Sequence, residues 1–258
     1  MKTVALAFLF VTLLVACAGS GSLPGQESIS RTWSRGQHFL PVSALREGQF
    51  SAIDEISQQP QNWAGAIAAT KLLPGSKLPA VIYLHGCAGN KNGDYWWHQL
   101  KRYNVAFFAP DSMSRPRRPL CGSGNMKNLR IPMRTAELRY ALQQLEGVEW
   151  IDHDRIILIG FSEGSQTAAA SAAQKFRAVV LMGTNCRFSG GSPRAASKVA
   201  VLSLMGKNDH YYEGVGCRIT RRLRGSASIV IADTGHNLRN NQAALDELHR
   251  FLQQQLDR

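Results

Sequence analysis

Short apolar runs alternate with helical periodicity between residues 79 and 252, and this alternation restricts the fold more than any other feature of the chain. The runs 79–84 (PAVIYL), 105–109 (VAFFA), 156–159 (IILI), 178–182 (AVVLM), 199–205 (VAVLSLM) and 228–231 (SIVI) are rich in β-branched residues and apolar at consecutive positions. A strand apolar on both faces belongs in a sheet covered on both sides, as parallel sheets are. Between the runs, Leu138, Ala141, Leu142 and Leu145 stand at i, i+3, i+4 and i+7, and Leu245, Leu248 and Leu252 form a second stripe. The pattern predicts a mostly parallel, doubly wound α/β sheet with helices on both faces and right-handed crossovers. Residues 63–73, followed by Pro74-Gly75, read as an earlier antiparallel strand ending in a turn. Ligands of such sheets gather at the carboxyl ends of the strands, so functional residues are sought there.

A chain of 258 residues, 44% hydrophobic and 19% charged, has enough apolar material for one large core, and no internal repeat or second linker divides it. Its beginning is a targeting segment. Lys2 supplies a positive start, and 4–15 is an apolar run too short to span a bilayer comfortably. Leu14-Val15-Ala16-Cys17 resembles the lipobox of bacterial lipoproteins, in which the cysteine is lipidated and becomes the mature N-terminus. Ordinary cleavage after Ala16-Cys17-Ala18 also fits the small-x-small rule. Lipidation at Cys17 is preferred, because a simple cleavage site requires neither the leucine nor the cysteine. The organisation expected is a signal peptide over 1–16, a flexible Gly/Ser-containing tether over 17–34 and one domain over 35–258. A lipid anchor would hold the exported protein on a periplasmic membrane face, and Ala18 would permit onward sorting to the outer membrane.

The formal charge of +12 raises the question of a nucleic-acid partner. The basic residues are scattered. The one dense cluster, Arg115, Arg117 and Arg118, is broken by Pro116 and Pro119 and lies in no nucleic-acid-binding motif, so no such partner is expected. The cluster reads as a solvated loop. The sharper reading is that Arg117 or Arg118 overhangs a site and attracts an acidic substrate. Five cysteines are present, and setting aside Cys17 leaves Cys87, Cys121, Cys186 and Cys217. An even set in an exported chain suggests two disulfides, whose pairing the count alone leaves open.

Residues 156–164 (IILIGFSEG) run a strand into Gly-x-Ser-x-Gly, and the Ala-rich stretch 163–174 follows as a helix. This is the context of a nucleophile elbow, a strained turn that lifts Ser162 Oγ clear of the sheet. A serine hydroxyl needs a base within reach. Of the seven histidines, His236 in Thr234-Gly235-His236-Asn237 follows the last strand and precedes the last helix, where a loop can reach over the sheet. His249 and His98 fall in helices, His153 in a turn and His38 far upstream. Asp209, in Gly206-Lys207-Asn208-Asp209 after the strand 199–205, is the carboxylate expected to orient the imidazole. Its position gives the chain order Ser, Asp, His. Asp233 lies in the histidine's own loop, and Asp111 precedes the serine. Oxyanion donors are expected from the backbone N–H groups of Glu163 and Cys87, the latter in His85-Gly86-Cys87-Ala88-Gly89, with His85 structural. Trp96 and Trp97 are candidates for a pocket wall, or for core.

With these residues in place the chain resembles the dienelactone-hydrolase-like branch of the α/β-hydrolases. The resemblance spans roughly 63–252 and rests on LPAVIYLHGCAG, AFFAPDS, ILIGFSEGS, LMGKNDHYY and TGHN in that order. It implies the α/β-hydrolase fold and disulfides Cys87–Cys121 and Cys186–Cys217. The namesake enzyme uses a cysteine nucleophile where this chain has Ser162, so a small-molecule carboxylic ester is the expected substrate class rather than a dienelactone. No metal-ligand spacing or nucleotide-binding motif is visible, and serine catalysis needs no cofactor. A peptidase or acyltransferase with the same triad is the alternative of the same class. A non-catalytic lipoprotein binding through a hydrolase-like cleft is the alternative of another.

Overall fold

The computed structural model describes residues 26–41, 75, 77–122, 126–171, 176–219, 223 and 225–257. The expected signal peptide, Cys17, the first part of the expected tether and the strand expected over 63–73 lie outside the described residues. The described elements are α1 (Gln26–Ser34), β1 (Gln37–Phe39), β2 (Leu78–Leu84), α2 (Gly93–Leu100), β3 (Ala106–Ala109), α3 (Ile131–Glu146), β4 (Ile151–Phe161), α4 (Glu163–Ala170), β5 (Ala178–Met182), β6 (Ala200–Gly206), β7 (Ala227–Ile231) and α5 (Gln242–Leu256).

The seven described strands form one sheet in the order β1-β3-β2-β4-β5-β6-β7. Among them only β1 is antiparallel, pairing His38 with Phe108 on β3. The other pairings are parallel. The chain leaves β2 for β3 on one side and then crosses to β4 on the other. The topological switch point, where a crevice opens beyond the carboxyl ends, therefore lies between β2 and β4.

Period-two alternation divides the buried side chains between two cores. Ala80, Ile82, Leu84, Phe108, Leu158, Val179 and Leu181 face Trp33 of α1, Leu138, Ala141 and Leu145 of α3, and Ala168 and Ala169 of α4. Val81, Tyr83, Phe107, Ile157, Ile159, Val180, Leu202 and Leu204 face Trp96 and Leu100 of α2 and Leu248, Phe251 and Leu252 of α5. The expected double winding and both helical stripes are thus present. Trp96 belongs to this second core, and Trp97 stacks on Phe39 at 5.6 Å, so both tryptophans serve packing rather than a pocket wall. His153 lies within β4, which begins earlier than the apolar run 156–159.

Residues 26–34, expected as the last part of the tether, form the helix α1. Ile29 and Trp33 stand one helical turn apart, Trp33 is buried and stacks on Phe108 at 5.5 Å, and Asp111 N donates to Thr32 O at 2.7 Å. A single large aromatic side chain with a core to enter is enough to fasten so short a helix.

His38 of β1 is fully buried between Trp33 and Phe108, and its Nε2–H donates to Trp33 O at 2.9 Å. Burial lowers its pKa from the usual 6.5 to about 4, so the folded protein holds it neutral. The unfolded chain binds a proton here below pH 6.5, and the folded one only near pH 4. The contribution of His38 is therefore intact above pH 6.5 and is lost as the pH falls, by up to about 3 kcal/mol. Urea unfolding between pH 7 and pH 4.5 should show this decline, and His38→Gln should make it shallower.

Candidate active site

The carboxyl end of β4 turns at Ser162, whose φ of 53° and ψ of −113° lie where residues with a Cβ rarely go. Close packing forces the turn. A Cβ on Gly164 would sit 1.9 Å from Leu84 O, and one on Gly160 would sit 2.6 Å from Ser165 N. Only glycines at these positions let α4 rest against the ends of β2 and β4. Ser162 N donates to Met182 O at 2.8 Å, and Ser165 Oγ lies 2.5 Å from Gly160 O and 2.9 Å from Met182 O. The elbow is thereby tied to β5. The segment after β2 runs beside it, since a Cβ on Gly86 would be 3.5 Å from Ser162 Cβ.

Asp209 and His236 come together from loops after β6 and β7. His236 Nδ1 and Asp209 Oδ2 are 2.7 Å apart, with the carboxylate side chain fully buried and the imidazole 17% exposed. The other carboxylate oxygen accepts from Tyr211 N at 2.9 Å and Tyr212 N at 3.2 Å. This assigns the Nδ1–H tautomer to His236 and leaves Nε2 as an acceptor. The two loops are fitted closely: Asn208 N donates to Thr234 O at 2.9 Å, and a Cβ on Gly206 would lie 2.0 Å from Gly235 O.

Ser162 and His236 share one rim. The imidazole packs 5.1 Å from the ring of Phe161, which precedes the serine. A Cβ on Gly183, which follows the carbonyl that holds Ser162 N, would be 3.1 Å from His236 Cε1. Tyr211 meets the imidazole edge-on at 4.8 Å and Tyr212 lies 5.7 Å from it, an aromatic surround that LMGKNDHYY contains but periodicity cannot place. Of the rival carboxylates, Asp233 is exposed in a turn, and Asp111 caps a short turn by accepting from Met113 N at 2.9 Å.

Both disulfides implied by the resemblance are present. Cys87–Cys121 joins the loop after β2 to the loop after β3, and Cys186–Cys217 joins those after β5 and β6. The paired cysteines stand 34 and 31 positions apart in sequence, and on the chain-entropy account each cross-link removes about 3–4 kcal/mol of freedom from the unfolded state. Each staples two rim loops.

Sequence reasoning missed a buried charge cluster behind the serine. The Glu163 carboxylate is in contact with the guanidinium of Arg118, lies 3.0 Å from Arg130 Nη1 and 3.7 Å from Arg134 Nη1. Arg134 also lies 3.3 Å from Glu137, which Arg115 approaches to 3.4 Å and to which Ser112 Oγ donates at 3.0 Å. Burying one such charge without the others would cost several kcal/mol, so the set is mutually required. Arg118, expected as a solvated or substrate-facing cation, is instead spent on Glu163, with its side chain only 3% exposed. Arg117 is exposed.

His85 belongs to this structural set. Its Nδ1–H donates to Gly86 O at 2.6 Å and its Nε2 accepts from Ser112 N at 3.0 Å. Burial, aided by the nearby Arg134 charge, holds its pKa well below 6.5. Among the described residues no group of three or more His, Cys, Asp or Glu side chains is placed to hold a metal ion.

No protein-family profile matches the chain, and no curated protein matches it. Solved structures do. An acetyl xylan esterase from Paenibacillus sp. R4 aligns at 16% identity and a TM-score of 0.51 over 70% of this chain and 75% of its own. A protein named as a candidate dienelactone hydrolase from Klebsiella pneumoniae subsp. pneumoniae MGH 78578 aligns at 16% identity and a TM-score of 0.51, over 72% and 89% of the two chains. A protein named as a candidate CIB-like hydrolase, from Thermoplasma acidophilum, gives 13% identity and a TM-score of 0.51 over 72% and 91%. Sheet order, the elbow and these likenesses agree: the chain has the α/β-hydrolase fold.

Proposed function

We propose that the protein is a serine hydrolase that cleaves a carboxylic ester through Ser162, His236 and Asp209. The observation that carries the reading is the 2.7 Å contact of His236 Nδ1 with the buried Asp209 carboxylate, beside a serine held in an elbow. Asp209 fixes the tautomer, so that His236 Nε2 faces outward as a base. In the proposed reaction Nε2 takes the Ser162 proton as Oγ attacks the ester carbonyl. The N–H groups of Glu163 and Cys87 hold the oxyanion, the alcohol leaves with that proton, and water cleaves the acyl-enzyme by the same route in reverse. Two features support the oxyanion assignment. Glu163 N–H opens α4, and Gly86 brings the segment before Cys87 against the serine. The ester class is supported by a neighbour of the same fold that is named as an acetyl xylan esterase.

The same reading places the protein outside the cytoplasm, anchored through a lipidated Cys17. Two disulfides support export. No helix among the described residues is long and apolar enough to cross a membrane.

Ser162→Ala should abolish p-nitrophenyl butyrate turnover and labelling by a fluorophosphonate while leaving the thermal transition in place. Unchanged turnover would refute the assignment. Asp209→Asn should lower kcat by about 10⁴-fold, since it favours the wrong tautomer, with a much smaller change in KM. If Cys17 is lipidated, metabolic labelling with radioactive palmitate should mark the wild-type chain and not Cys17→Ala, and the variant should leave the membrane fraction.

A further inference from the structure

We propose that the segment 113–120 after β3 docks onto a bilayer containing anionic phospholipid and seats the Ser162 rim against it. The loop presents Leu120, at 77% the most exposed large apolar residue described, together with Met113 at 46%. Leu129 is also exposed, and the residue after it, Arg130, donates from Nη1 to Leu120 O at 3.5 Å. Met113 reaches the loop after β2, lying 3.1 Å from where a Cβ on Gly89 would be, and Lys91 stands exposed just beyond.

The charge these side chains share with solvent is positive. Arg117 and Lys91 are exposed, and Arg35 acts on Asp111 from the neighbouring helix end. Glu137 and Glu163 are buried and engaged by arginines, which leaves half-buried Asp111 and exposed Asp94 as the nearby carboxylates. Apolar side chains held in water beside exposed cations match a lipid interface: leucine and methionine enter the acyl boundary while arginine and lysine meet headgroup phosphates.

A second observation concerns where the chain enters the domain. The α1 helix lies against this same loop, with Asp111 N on Thr32 O and Arg115 Nη2 donating to Ser28 Oγ at 3.4 Å. Residues 18–27 can span at most ~35 Å when fully extended. An anchor at Cys17 would therefore keep the loop close to the membrane, and this part of the argument rests on the lipid-anchor reading above. The docking loop is fixed to the site by Cys87–Cys121 and by the Arg118–Glu163 pair, so its contact would turn the serine's opening toward lipid.

The test uses the exported chain carrying Cys17→Ser, purified after signal removal as verified by mass, so that no lipid is attached. Its cosedimentation is measured with vesicles of phosphatidylcholine alone and of equal parts phosphatidylcholine and phosphatidylglycerol. Binding to the anionic vesicles should be at least about tenfold tighter and should weaken with added salt. R117E/L120D should lose at least about tenfold of that binding while still hydrolysing p-nitrophenyl butyrate in solution. R117Q alone should weaken it less and reduce its salt dependence. Equal partition of the starting protein between the two vesicles would overturn the proposal, as would undiminished binding by the double variant. Absence of ester turnover from every form would instead refute the Ser162 reading and leave the vesicle result to decide the docking.

Discussion

The turn at Ser162 depends on two places where backbone touches backbone with no room for a methyl group. Gly160 lies against Ser165 N, and Gly164 lies against Leu84 O. A φ of 53° on a residue with a side chain costs on the order of 1–3 kcal/mol, and such a conformation persists only where its surroundings over-determine it. Here the strand before it is central in the sheet, the helix after it is buried, and its own N–H is held by Met182 O. The strain is therefore local, while the structure that enforces it is the whole parallel sheet. Anything that loosens β2, β4 or β5 relaxes the serine.

The other two members of the proposed triad are positioned by a different means. Asp209 and His236 stand on loops, which are ordinarily the adaptable part of an α/β protein. Their loops are tied by Asn208 N on Thr234 O, by the contact of Gly206 with Gly235, and by two backbone amides on the free oxygen of the carboxylate. With its Nδ1 hydrogen engaged, the imidazole has one ring nitrogen left for chemistry. On the opposite side of Ser162 the same rigidity comes from charge and covalent bonds. Glu163 draws Arg118 and Arg130 inward from the β3–α3 loop, and Cys121 is bonded to Cys87. A buried carboxylate one residue past the serine thus organises the structure beside the elbow through its arginine partners.

Much of this was legible beforehand, for definite reasons. Apolar runs on both strand faces announce a covered parallel sheet, and each expected strand from 79 onward was found, with ends differing by a few residues. Ser162, Asp209 and His236 were legible because each follows a strand closely, so that chain order alone puts them at carboxyl ends. Other features were hidden. In sequence the α1 helix looks like tether because the Gly/Ser run before it masks a single Trp33, whose weight depends on Phe108 seventy-odd residues away. The tryptophans of α2 read more readily as core than as pocket wall, but only their contacts with Tyr83 and Phe107 decide it.

What the sequence determined by itself is what local rules govern: the alternation of strands and helices, the glycines that permit a strained turn, and the order of serine, carboxylate and imidazole. Tertiary structure alone decided which charges are spent internally. Arg117 and Arg118 are adjacent and chemically identical, yet one is exposed and the other is buried against Glu163. That difference arises because Coulomb attraction and desolvation depend on distance and burial across elements remote in sequence. A linear reading contains neither quantity.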